Sequence, residues 1–89
     1  MQLDRRRSSI EIIADMLRLG EAHKTEIMYS VNMSYFQLQK YLQFLTERGL
    51  IDKVMVGNPK ITYRVTEKGL SLLESIDNIL EMIGAGSEI

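Results

Sequence analysis

The sequence predicts a mainly α-helical domain carrying one small β-hairpin, in the order α-α-α-β-β-α, and three observations carry that prediction. Apolar residues recur at helical spacing in four segments, and capping residues stand ahead of them. Between the third and fourth segments, Gly57-Asn58-Pro59-Lys60 separates two short runs rich in branched residues, which is the chemistry of a hairpin turn. With 89 residues, 45% of them hydrophobic and 26% charged, the chain suits one soluble domain with a single core.

Ser8 and Glu11 have the S-x-x-E spacing of a capping box, followed by Ile10, Ile13, Met16 and Leu17 at helical spacing up to Gly20. A polar link leads to Thr25, the expected N-cap of a brief second helix holding Ile27, Met28 and Val31, with Asn32 as its turn. Ser34 and Gln37 repeat the capping spacing and open the third helix. At about 100° per residue, Leu38, Tyr41, Leu42 and Leu45 share one face, while Phe36, Lys40, Gln43 and Glu47 lie opposite. Gly49 fits the C-cap, Leu50 to Val56 reads as a strand, and Ile61, Tyr63 and Val65 alternate along the next one. Thr66 caps a last helix that runs through Leu70, Leu72, Leu73, Ile76, Ile79, Leu80 and Ile83 to Gly84.

The absence of cysteine leaves no disulfide framework and no thiolate metal site, and points to a cytoplasmic setting. No apolar run approaches the roughly 18 residues of a membrane span, so no membrane partner is expected. The net charge of −1 hides an asymmetry. Residues 1–65 hold ten Arg or Lys and seven Asp or Glu, net +3, and residues 66–89 hold one and five, net −4. A basic body with an acidic tail suits an anionic partner for the body.

Helices joined by a tight turn and followed by a hairpin are economically satisfied by a winged helix-turn-helix. The stretches KTEIMYSVNMSYFQLQKYLQFLTERGLI, Lys24 to Ile51, and YRVTEKGLSLLE, Tyr63 to Glu74, resemble the archaeal winged-helix DNA-binding regulators, a family that includes small coiled-coil dimers. The resemblance spans about Ser8 to Leu80. It implies a transcriptional regulator or nucleoid protein with the third helix in the major groove, the hairpin as wing, and a dimer made by the last helix. Ser34, Tyr35, Phe36, Gln37, Gln39, Lys40 and Gln43 then occupy recognition-helix positions, and Asn58 and Lys60 the wing tip. Residues 1–7 become a basic arm, 8–66 the winged domain, 67–83 the dimerisation helix and 84–89 a flexible tail. Phe36 and Gln39 stand where this family often carries lysine.

The residues themselves fit that partner. Glutamine pairs bidentately with adenine, which suits Gln37, Gln39 and Gln43. Arg5, Arg6, Arg7, Lys24, Lys40, Lys60 and Arg64 are the cations available to phosphates. Phe36 either meets a thymine methyl or packs against the second helix or a dimer partner. His23, the single histidine, reads as a loop residue, without a metal site.

In the last helix Leu73, Ile76, Leu80 and Ile83 step by three, four and three, the seam of a coiled coil, and Leu72 and Ile79 widen it. The expected dimer interface is Leu72, Ile76, Ile79, Leu80 and Ile83, with Leu70 and Leu73 turned to the domain core. Glu74, Asp77 and Glu81 read as the solvated face of that helix. With no nucleophile motif, phosphate loop or ligand cluster, neither catalysis nor a cofactor is expected. The alternative to a homodimeric regulator bound to double-stranded DNA is a winged-helix module that docks protein instead.

Overall fold

A computed structural model describes residues 8–58 and 60–84. Four helices and three strands follow one another as α1 (Ser9–Arg18), β1 (Glu21–Ala22), α2 (Lys24–Val31), α3 (Tyr35–Glu47), β2 (Ile51–Met55), β3 (Ile61–Val65) and α4 (Glu67–Met82). The hairpin expected from the sequence is present. A short strand, β1, extends it into an antiparallel sheet of order β1-β3-β2. Glu21 pairs with Arg64 and Ala22 with Tyr63, and the Val65 amide donates to the Gly20 carbonyl at 2.7 Å.

Local chemistry explains each boundary. Ser8 caps α1 reciprocally with Glu11, and Ser34 caps α3 reciprocally with Gln37, as their spacing predicts. Helix α2 is capped two residues before the expected Thr25. Its N-cap is His23, whose amide donates to Glu26 Oε1 at 2.8 Å and whose Nδ1 lies 3.3 Å from the Ile61 carbonyl. His23 lies in the link between β1 and α2, as expected, and from there ties the start of α2 to the wing. Asn32 closes α2 in the left-handed region at φ 58°, a conformation asparagine tolerates, and the Met33 amide reaches back to the Met28 carbonyl. This tight turn sets the angle between α2 and α3.

Gly49 does the same work after α3. Its φ of 72° lets the Leu50 amide return to the Leu45 carbonyl before the chain extends into β2. Lys68 of α4 donates to the Arg48 carbonyl at 2.9 Å, bringing a cation to the negative end of α3.

The core is built from Ile12, Ile13, Met16 and Leu17 of α1, Ile27 and Val31 of α2, Leu38, Leu42 and Leu45 of α3, and Tyr63 of β3. Helix α4 joins it through Ile76, which is 3% exposed, and through the half-buried Leu72, Leu73 and Leu80. Gly69 admits α4 to this position, since a Cβ there would run into the Leu50 carbonyl oxygen and the Val65 side chain. Arg18 of α1 grips Asp77 of α4 with Nη1 2.8 and 3.0 Å from its two oxygens. Helix α4 thus packs on the folded unit as far as Leu80.

Three expectations about α4 change accordingly. Leu70 is exposed rather than turned to the core, being about 60° beyond the face that Leu73 presents at 100° per residue. Ile76 is covered by its own protomer and cannot serve a partner. Asp77, expected to be solvated, anchors α4 to α1.

Candidate nucleic-acid interface

The outward face of α3 follows directly from its inward one. Because Leu38, Leu42 and Leu45 hold the helix on the core, Phe36, Gln39, Lys40, Gln43 and Glu47 must project to solvent, and all are exposed. Phe36 is 72% exposed and does not pack on α2; the Lys40 ammonium sits 5.6 Å from its ring centroid. Lys24 stands over the Tyr35 ring at 5.7 Å, and the Arg48 guanidinium over Phe44 at 4.2 Å. Each ring remains accessible beside a positive charge.

The sheet contributes one of its two faces. In the antiparallel register Ile51, Lys53 and Met55 lie opposite Val65, Tyr63 and Ile61, so alternation places this set on the side that packs toward α3. Lys53 accordingly lines a polar cleft with Lys24, Gln39, Gln43, Thr46 and Tyr63. Sequence reasoning overlooked Lys53. The signal was available in the alternation Ile51-Lys53-Met55, but it takes the cross-strand register to show which side those residues share.

Arg64 belongs to the other face. Its Nε donates to Glu21 Oε1 at 3.1 Å, and Thr62 Oγ1 donates to Glu21 Oε2 at 2.7 Å. The Arg64 hydrogen bond, more than that of Thr62, holds the Glu21 carboxyl below its ordinary value. Arg64, expected among the cations available to phosphates, is pointed away from α3 by β-strand alternation, and its charge is paired with Glu21.

The glutamines separate into three situations. Gln37 accepts from the Ser34 amide through Oε1, so bidentate adenine pairing would cost it the cap. Gln43 donates Nε2 to Glu47 at 3.1 Å on the exposed surface, a contact easily exchanged for another. Gln39 makes no side-chain hydrogen bond with the described residues and opens into the cleft between Lys24 and Lys53. Asn58 and Lys60 are exposed at the wing tip, whereas Arg5, Arg6 and Arg7 lie outside the described residues.

On α4, Ile79, Met82 and Ile83 are exposed, and Leu72 and Leu80 are partly so. Among the described residues no three or more His, Asp or Glu side chains are grouped to hold a metal ion, and no helix is long and apolar enough to cross a membrane.

Comparison with known proteins agrees with this architecture. A protein of Methanocaldococcus jannaschii, itself uncharacterized, is 32% identical over 83 residues, covering 90% of this chain and 80% of the relative. The crystal structure of Sso10a-2, a DNA-binding protein from Sulfolobus solfataricus, superposes with a TM-score of 0.79 at 28% identity, covering 89% of this chain and 84% of that one. Lactococcus lactis ZitR in complex with DNA shares the fold at TM-score 0.64 and 20% identity, over 91% of this chain and 57% of its own. The winged helix-turn-helix family model matches residues 6–84, nearly the whole length. With its capped α3, its three-stranded sheet and this match, the chain belongs to the winged helix-turn-helix family.

Proposed function

We propose that the protein is a homodimeric transcriptional regulator that binds double-stranded DNA, with α3 in the major groove and the β2–β3 wing along the backbone. The observation that carries this reading is the cleft in which Lys24 and Lys53 flank Gln39 and Gln43, with Lys40 beside Phe36 on the outward side of the same helix. Cations at the rim suit phosphates, and an unpaired amide at the centre suits a base edge. The likeness to Sso10a-2, a DNA-binding protein, supports the same partner. Phe36, exposed beside Lys40, is the side chain offered to a thymine methyl.

The dimer rests on α4. Exposed Ile79, Met82 and Ile83 continue an aliphatic stripe from Leu72 that the protomer leaves uncovered, and a second copy of the same stripe would bury it. Ile76 supports that stripe from beneath. Two protomers would present two α3 helices and double the cationic surface, which compensates for the modest charge of each.

Fluorescence anisotropy with a labelled duplex tests the reading. Binding at micromolar protein in low salt, weakening steeply between 50 and 200 mM salt as counterion release requires, is the expected result. The alternative, a module that docks protein, is favoured by the exposed Phe36 and the modest basic charge, and it predicts no duplex binding at all.

A further inference from the structure

The wing carries a feature that phosphate contact does not need. Met55, the last residue of β2, and Val56, which continues the pairing by donating to the Lys60 carbonyl, are 68% and 47% exposed. Consecutive strand residues point to opposite faces, so the tip is apolar on both sides of the ribbon. Lys53 stands two residues behind Met55 on the α3 side, and at the turn stand Asn58 and Lys60, both exposed. The turn is closed tightly, with the Val56 and Gly57 amides both donating to the Lys60 carbonyl at 2.9 and 3.3 Å, and Gly57 leaves only 3.2 Å between an added Cβ and that of Lys60.

Reach selects the target. From Ile51, beside the end of α3, to Val56 the strand extends five residues, about 17 Å at roughly 3.3 Å each. Half a turn of duplex, the step from a major groove to the adjacent minor groove, is also about 17 Å. A wing anchored beside an α3 seated in the major groove therefore ends at the minor groove. Apolar side chains delivered there, flanked by cations that hold the phosphate walls, are the chemistry of a wedge that unstacks a base step and kinks the duplex. Polar tips make phosphate contacts without this consequence.

We propose that Met55 and Val56 form an intercalating wedge that enters the minor groove and bends the DNA on which the protein sits. This rests on the duplex-binding reading, carries the tip of the wing from the backbone into the minor groove, and adds deformation. The wedge acts preferentially at flexible pyrimidine–purine steps, where unstacking is cheapest. It gives sequence preference at positions that no glutamine touches.

The test is resonance energy transfer between dyes at the two ends of a short duplex holding a central TA step, titrated with the full chain. Anisotropy of the same duplex is followed in parallel. The wild type is expected to shorten the end-to-end distance as a kink of about 20–90° does. The double variant Met55→Ser/Val56→Ser is expected to bind while leaving the distance at that of free DNA. Met55→Leu/Val56→Ile should retain the bend, which separates loss of a wedge from loss of the wing. Binding by the wild type without shortening, or equal shortening by the double serine variant, overturns the wedge alone. Absence of any binding overturns the duplex-DNA reading and the wedge with it.

Discussion

Helices α3 and α4 both carry more outward-facing bulk than the core needs, but of opposite chemistry. On α3 the apolar stripe of Leu38, Leu42 and Leu45 is consumed by the protomer, and what projects is aromatic, amide and cationic. On α4 only Gly69 and Ile76 are fully buried, and what projects is aliphatic among acidic residues, with Met82 84% exposed and no basic residue in its last turn. A polyanion is attracted to the first surface and repelled by the second. An aliphatic stripe on a second copy fits the second and gains nothing from the first. The difference teaches that a surplus is informative through its chemistry, since both helices have similar periodicity.

The largest expected effect comes from the inner side of α3. Leu45 is fully buried, and Leu45→Ala should lower unfolding stability by about 2–5 kcal/mol, the range for deleting a buried leucine. Ile79→Ala on the exposed side of α4 should leave the stability of the isolated protomer nearly unchanged. Urea unfolding of both variants at low protein concentration measures the contrast. A Leu45 variant as stable as the Ile79 variant would break the distinction between consumed and surplus apolar surface.

Next in size is the association itself. Ile79→Asp/Met82→Asp should reduce the mass seen in sedimentation to that of one chain. Burying each side chain contributes about 1.5–3 kcal/mol, so the pair should weaken self-association about a hundredfold or more. Circular dichroism should remain that of the wild type, because neither residue is in the core. A wild type that sediments as a monomer would end the proposed role of α4.

Much of this was legible in the residues, and what was not has identifiable causes. The α3 stripe, both serine capping boxes and the hairpin are local, and local spacing suffices to read them. Strand β1 is two residues long and exists only because Ala22 meets Tyr63 some forty residues later, so no alternation could announce it. Lys53 and Arg64 look equivalent in the sequence; cross-strand register alone separates the one beside α3 from the one paired to Glu21. Ile76 fits a dimer seam in the sequence because a three-four apolar step describes a helix lying on its own core equally well. Proximity of Arg18 to Asp77 decided which half of that stripe faces inward.

The α3 face can itself be sharpened by separating phosphate from base. Lys53→Ala should weaken binding to all duplexes about equally and reduce the salt slope by about one, whereas Gln39→Ala should cost roughly 1–3 kcal/mol at one base position and little elsewhere. Anisotropy across salt, together with selection from a random duplex pool, reads both. If Gln39→Ala lowered affinity uniformly, the cleft would be a phosphate clamp rather than a reader.

The smallest effect belongs to a group outside both faces, and it serves as their control. Glu21 has its carboxyl held below the ordinary value of 4.5, first by the Arg64 hydrogen bond and then by that of Thr62, against a smaller opposing desolvation. A carboxyl whose folded pKa is depressed contributes stability that is present above its unfolded pKa and is lost as pH falls through the folded value. Thermal unfolding of the wild type should therefore weaken below about pH 4.5, while Glu21→Gln, having no proton to take up, should show a shallower acid limb and slightly lower stability at neutral pH. Because Glu21 and Arg64 lie on the sheet face turned from α3, neither Glu21→Gln nor Arg64→Ala should alter duplex affinity or sedimented mass. A change in DNA affinity with Arg64→Ala would mean that the duplex wraps past the edge of the wing, and the boundary between the binding face and the rest of the sheet would have to be redrawn through Arg64.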